Sequence, residues 1–323
     1  MDSGRDKIQN LKKHVLGGWI IVPFDVIIMG AGQIASGYDT PDTDVVLTHA
    51  HAVKNNTDFN LLGFYDIDEE KAIVAAKKWN ADAFKYPVKA DIYAICTPDS
   101  SHLQSIQQII KLNPKLIILE KPIADTLSNA ELILTITKDV STQVNFSRRF
   151  IYEFQALKEN ISKFGEFLSG TGLYGKGFIN NGSHMIDLLS FFLGEIESVD
   201  NISEITDFSE RDKTITSIYK FKHGGEFFLR GLDCRKYSVF EIELCFEKAR
   251  VKILNGGGII QIEMPKQSEK YSGYKILTMT EEIHTEIDNA MKNMYINVYE
   301  HLTEKKKLLS PIQDSFMRWN YIV

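Results

Sequence analysis

The run Val26-Ile27-Ile28-Met29-Gly30-Ala31-Gly32-Gln33-Ile34-Ala35 places a G-x-G-x-x-A pattern directly after a strand-like apolar segment. Such a turn can cradle a pyrophosphate. Gly30 permits the tight turn, Gly32 lets the backbone approach the anion, and Ala35 keeps the following helix close to the sheet. The first amides of that helix, around Gln33 and Ile34, then face the phosphates. The next residue with chemistry to offer is Asp66, which closes a second apolar run in Gly63-Phe64-Tyr65-Asp66. A carboxylate there accepts hydrogen bonds from ribose hydroxyls and repels a 2′-phosphate, and no Arg or Lys follows at once to receive one. Together they point to a dinucleotide and favour NAD over NADP. Asp66 lies further beyond Gly32 than the usual spacing of about 20 residues, which implies an insertion over Asp39 to Asn56. Within it, His49 and His51 are two apart and point to different helix faces. They read as part of a solvated or rim loop rather than as metal ligands, and no metal is expected.

The elements that must position these residues follow from periodicity. Apolar strand-like runs at 24–29, 59–65, 91–96 and 116–119 alternate with helical patterns at 69–79, 101–111 and 127–138. Strands alternating with helices predict an α/β fold, a doubly wound parallel sheet of Rossmann type, over residues 1–147. The second half differs. A helix at 152–164 and a glycine-rich stretch at 165–182 precede a buried helix at 185–193 that Gly194 stops. Period-two segments then run over 214–222, 226–232, 239–246, 250–254 and 259–264, with turns at His223-Gly224-Gly225 and Asn255-Gly256-Gly257-Gly258. A helical pattern returns at 281–303. This predicts an α+β domain over 148–323 with a large, mostly antiparallel open sheet.

Three further segments resemble, in order, motifs of the glucose–fructose oxidoreductase / inositol dehydrogenase / rhizopine-catabolism (Gfo/Idh/MocA) family. They are Ala94-Ile95-Cys96-Thr97-Pro98-Asp99-Ser100-Ser101-His102, Ile117-Ile118-Leu119-Glu120-Lys121-Pro122 and Gly182-Ser183-His184-Met185-Ile186-Asp187. The resemblance spans Val26 to about Val199, and the sheet-rich remainder fits the family's C-terminal domain. It implies that Thr97, Pro98, His102, Glu120 and Lys121 line the cofactor, with Lys121 beside nicotinamide and substrate and the Pro122 peptide often cis. An ammonium at a strand end can polarise the reacting oxygen; taken alone, Lys121 would read as a surface lysine. His184 falls where the family's sugar dehydrogenases commonly carry their acid–base, and an imidazole pKa near about 6.5 suits proton transfer. A core histidine satisfied by backbone bonds is the other reading. Asp187, three residues on, either contacts substrate or orients the imidazole. Asn180 stands where many members have aspartate, and an amide can bind hydroxyls but cannot take the proton. Arg149 in Asn145-Phe146-Ser147-Arg148-Arg149-Phe150 reaches a substrate or phosphate, or pairs with an acidic residue. Tyr174 and Lys176 are candidate rim residues of a substrate pocket.

Composition narrows the function classes. Of the 323 residues 25% are charged, with a net charge of −6. No basic stripe exists to neutralise phosphates, which excludes nucleic acid, and Lys305-Lys306-Lys307 reads as a solvated helix end. Cys96, Cys234 and Cys245 form no CxxC, and an odd count argues for a reducing compartment. No apolar run approaches the about 20 residues of a membrane span, and Met1 to Lys13 lacks a signal-peptide core, so a cytoplasmic protein with no membrane partner is expected. The sequence therefore reads as an NAD-dependent oxidoreductase acting on CH–OH groups of a small-molecule carbohydrate, a sugar or nucleotide sugar. The alternative is a non-catalytic NAD(P)-binding sensor or regulator of the same fold. A sheet face left exposed by one protomer predicts a homodimer or homotetramer.

Overall fold

The computed structural model describes residues 14–16 and 19–321; the stretch Met1 to Lys13, read above for a signal peptide, lies outside them. Strands β1 (His14–Leu16) and β2 (Trp19–Ile21) pair antiparallel. The chain divides into two compact units. One holds the residues up to Ala124, Ser128–Asn145 and Met291–Ile312; the other holds Asp125–Leu127, Phe146–Ala290 and the residues from Gln313 on.

The first unit is built on a six-stranded, all-parallel sheet of β3 (Phe24–Met29), β4 (Phe59–Tyr65), β5 (Asp82–Phe84), β6 (Ile92–Ile95), β7 (Leu116–Leu119) and β8 (Ser141–Val144), ordered β5-β4-β3-β6-β7-β8. Val26–Met29, Ile92–Ile95 and Leu116–Leu119 are buried throughout, which is why these strands read as unbroken apolar runs. The order reverses between β3 and β6, and ligands bind doubly wound sheets over the carboxyl ends of strands at such a reversal. The predicted helix at 69–79 forms as α2 (Glu69–Trp79), after α1 (His49–Lys54). Asp68 caps α2 by accepting from the Glu70 and Lys71 amides, and left-handed Asn80 ends it. Helices α3 (His102–Ile109) and α4 (Leu127–Ile136) connect the later strands.

Two expectations change here. No long helix follows the glycine turn: Gln33–Gly37 is one π-helical turn, and the helical course resumes only at α1. Nor is the whole of 39–56 a solvated rim: residues 40–45 are exposed, but the segment turns inward at both ends of that loop. Asp39, His49 and His51 are buried, because Asp39 accepts from the Leu47 and Thr48 amides, the Thr48 hydroxyl and His51 Nδ1. Among the described residues no His/Cys/Asp/Glu group could hold a metal.

The second unit carries an eight-stranded sheet. Its strands are β9 (Phe167–Tyr174), β10 (Ile196–Ser209), β11 (Asp212–Phe221), β12 (Glu226–Gly231), β13 (Phe240–Phe246), β14 (Arg250–Leu254), β15 (Ile259–Gln267) and β16 (Lys275–His284), in the order β10-β11-β12-β9-β13-β14-β15-β16. All neighbours are antiparallel except β9 and β12. The sequence hid β9 inside a glycine-rich stretch. Gly170 and Gly172 are small because Phe227 of β12 packs over them: a Cβ on either would lie within 2.8 Å of that ring. β10 and β16 are mostly exposed edge strands whose pattern lacks clean alternation. Glu281–His284 therefore belong to β16, and the helical pattern expected from Glu281 begins at α7 (Ala290–Glu304). From Met291 on, α7 counts with the first unit, where Tyr295 and Tyr299 meet Phe59 and Phe24 edge-on at 5.4 and 6.2 Å. Helices α5 (Tyr152–Asn160), α6 (Ser183–Leu193) and α8 (Ile312–Met317) complete the described chain. None of its helices is long and apolar enough to cross a membrane.

Candidate active site

The glycine turn is fitted differently on its two sides. Gly30 has φ +94°, and a Cβ there would lie 2.8 Å from the Cys96 carbonyl carbon, so this glycine serves the contact with the end of β6. Gly32 lies at φ −76°, and a Cβ would meet nothing within 4 Å. The space over Gly32 is therefore open to a ligand, and the turn fits a pyrophosphate. Asp66, half-buried at the end of β4, accepts the Ala31 amide at 2.8 Å and the Asp68 amide at 2.9 Å, drawing the turn onto the strand end. Gln33 is exposed and Ile34 half-buried. Because the helical turn is a single one, little macrodipole builds behind it, and the amides of the turn itself must carry the anion.

Across the reversal point lie the residues after β6 and β7. Thr97 Oγ1 lies 3.2 Å from Ser105 Oγ, followed by Pro98 at the start of a 3-10 turn. His102, expected to face the cofactor, is buried, with Nδ1 at 3.0 Å from the Ile123 carbonyl and Nε2 at 2.9 Å from that of Thr97. Burial pushes its pKa down, although both carbonyls favour the cation. It ties the loop after β6 to the loop after β7 and has no nitrogen left for a ligand. The Lys121–Pro122 peptide is cis, and Lys121, half-buried, lies just beyond the end of β7. Glu120 before it accepts from His49 Nε2 at 3.0 Å and Asn145 Nδ2 at 2.7 Å, both on Oε1. Burial would raise this carboxyl, but the His49 and Asn145 bonds and the Lys121 charge hold it below its ordinary value.

In the second unit His184 is the second residue of α6, half-buried, with its ring edge-on to Phe146 at 5.8 Å. Asn180 lies two residues before Gly182 on a π-helical turn, Phe178–Gly182, its Nδ2 donating to the Lys176 carbonyl at 3.1 Å. That turn is capped by a residue the sequence reading missed. Asp212 accepts the Ile179 amide at 2.7 Å and the Asn180 amide at 2.8 Å, while Thr214 and Asp207 accept those of Gly177 and Lys176. Nothing local in the sequence links Asp212 to Asn180.

Three expected substrate residues are committed elsewhere. Tyr174 is a core residue of β9 whose hydroxyl donates to the Ile215 carbonyl and accepts its amide, each at 2.7 Å. Arg149 Nε donates to Asp187 Oδ2 at 2.8 Å and its Nη1 to Asp314 at 3.1 Å; Arg318 Nη2 lies 2.8 Å from Asp187 Oδ1. Asp187 is thus the centre of a buried ion cluster, turned away from the imidazole role. Burial lowers Arg149, but Asp187 and Asp314 more than restore it; for Arg318 burial prevails, with Arg149 beside it acting the same way. Lys176 is exposed, its ammonium 5.7 Å from the Phe208 ring centre. Arg148 stacks 3.9 Å over Phe240 and donates to the Gly256 carbonyl, and burial pushes it down to about 10.

Residues 24–146 match the oxidoreductase family with NAD-binding Rossmann fold named for Gfo, Idh and MocA. No curated protein matches the chain. Similar solved structures include a putative NADPH-dependent oxidoreductase from Desulfitobacterium hafniense DCB-2, at TM-score 0.73 and 18% identity over 91% of this chain and 92% of that one. UDP-N-acetylglucosamine 3-dehydrogenase from Acidithiobacillus ferrooxidans matches at 0.70 and 14%, over 92% and 93%. An inositol dehydrogenase homologue complexed with NAD+ from Azotobacter vinelandii matches at 0.71 and 12%, over 93% and 94%. At these identities the likeness is one of fold. Residues 24–146, the dinucleotide-binding part of the chain, are thus similar to the NAD-binding Rossmann domain of the Gfo/Idh/MocA oxidoreductases.

Proposed function

We propose that the chain transfers a hydride between NAD and a hydroxyl or carbonyl carbon of a sugar or nucleotide sugar. One observation carries this reading. The open turn at Gly32 with Asp66 stands on one side of the strand-order reversal, and Glu120-Lys121 follows the strand end on the other, the placement that serves the two halves of a dinucleotide in such sheets. Amides of the turn hold the pyrophosphate, and Asp66 takes the adenosine ribose. Asp66, Asp68, Glu69 and Glu70 make this corner acidic, which supports NAD over NADP. When bound, the nicotinamide supplies the hydride acceptor or donor. Lys121 polarises the substrate oxygen, His184 exchanges the hydroxyl proton, and Asn180 offers an amide to neighbouring hydroxyls. The inositol dehydrogenase homologue and the nucleotide-sugar dehydrogenase among the similar structures support a polyhydroxylated substrate. A cytoplasmic homodimer or homotetramer, joined over the open face of the eight-stranded sheet, completes the proposal.

The test is NADH formation across free sugars, polyols and nucleotide-linked sugars, with Lys121→Met alongside. Turnover confined to one group and reduced at least about 100-fold in the variant, with NAD still bound, is the expected outcome. Variant turnover within a few-fold of wild type would remove Lys121 from the chemistry.

A further inference from the structure

We propose that His49, supplied by the inserted segment, is a positioning residue for the nicotinamide half of the cofactor site, acting by orienting the Glu120 carboxylate. The inference rests on the dinucleotide reading above. His49 is fully buried in α1, and its two ring nitrogens are engaged on opposite sides: Nε2 lies 3.0 Å from Glu120 Oε1 and Nδ1 lies 2.9 Å from the Tyr295 hydroxyl. The Tyr295 ring meets the imidazole edge-on at 5.8 Å.

The direction of the chain follows from donor chemistry. An ionised carboxylate only accepts, so Nε2 carries the proton given to Glu120, and in a neutral ring Nδ1 accepts from Tyr295. Burial drives the Tyr295 hydroxyl well above its ordinary pKa, with Cys96 and Glu120 adding to it, so it stays a donor. The sequence Tyr295 O–H to His49 to Glu120 therefore has one polarity.

Its effect falls on one oxygen. His49 and Asn145 both donate to Oε1, and among the described residues no donor is set on Oε2. The Glu120 side chain keeps 12% of its surface exposed. Oε2 is thus held as a fixed acceptor at the end of β7, where the nicotinamide carboxamide, an N–H donor, would come. Without His49, Asn145 alone holds the carboxylate, and one bond allows it to turn. The buried part of the inserted segment, His49–Val53 of α1, thus braces a strand-end carboxylate.

Calorimetric titration of NAD and of ADP-ribose, which lacks the nicotinamide, tests the proposal in the whole protein. His49→Leu is expected to weaken NAD about tenfold, the scale of one hydrogen bond to a charged group, and to change ADP-ribose less than about twofold. His49→Gln, whose amide can donate to the same oxygen, restores NAD affinity to within a few-fold. Equal losses for both ligands, or no loss for NAD, overturn the proposal. If His49→Leu does not fold, Tyr295→Phe carries the test: NAD weakened with ADP-ribose unchanged supports it, and unchanged NAD overturns it. A wild-type protein that binds neither ligand refutes the dinucleotide reading itself, a separate failure.

Discussion

Neutralising Asp187 should unfold the second unit more readily without acting through the imidazole. The side chains of Asp187, Arg149 and Arg318 are 1%, 3% and 9% exposed. Among the described residues Asp187 is the only ion-pair partner of Arg318. Asp187→Asn keeps the shape and removes the charge, so Arg318 is left buried and unpaired. Removing one member of a buried pair costs about 3–5 kcal/mol. Arg149 keeps Asp314 at 3.1 Å, a carboxylate 37% exposed and able to hold part of its charge. The lower end, about 3 kcal/mol, is therefore expected. With a urea dependence of about 2 kcal/mol per molar, the unfolding midpoint should fall by about 1.5 M. Circular dichroism through a urea titration reads this shift. Adding Arg318→Met to the variant should recover part of the loss, since both charges are then gone. A midpoint moved by less than about 0.5 M would refute the reasoning, above all if NADH formation were abolished. That combination would return Asp187 to the substrate, the role its spacing from His184 first suggested.

The two glycines of the turn should separate stability from binding. Gly30→Ala forces a Cβ against the Cys96 carbonyl at positive φ, and a cost of about 1–3 kcal/mol should lower the calorimetric Tm by several degrees. Gly32→Ala should leave stability within about 1 kcal/mol while weakening NAD at least tenfold, roughly what displacing a closely packed phosphate costs; unchanged affinity would deny the turn its phosphate. Acid should act on Asp39 and Glu120, whose pKa values in the fold lie below 3.8 and 4.5 because hydrogen bonds outweigh burial. The unfolded chain then binds more protons, so their stabilisation is present above those values and is lost as pH falls through the folded ones. Thermal melts should decline below about pH 4.5, and less steeply in Asp39→Asn; parallel slopes would exclude Asp39 as a source.

Much of the dinucleotide half was legible locally. Val26–Met29 and the strands at 92–95 and 116–119 are buried on both faces, so an apolar run marks each one, while 59–65 keeps Asn60 exposed. G-x-G-x-x-A and Glu120-Lys121-Pro122 lie at the strand ends where the order of the sheet puts a ligand. What the sequence could not decide depends on partners far along the chain. His49 reads as a rim residue until Glu120, 71 positions on, and Tyr295, 246 on, are brought to its two nitrogens. Arg149 left two readings open because a guanidinium suits an anion or a carboxylate alike; Asp187, 38 residues away, settled it. Gly170 and Gly172 look like loop until Phe227 packs across them. Periodicity records which face of an element is buried, and local spacing records turns. Hydrogen-bond partners are set by which strand ends and helices the fold brings together, and only the tertiary structure contains that.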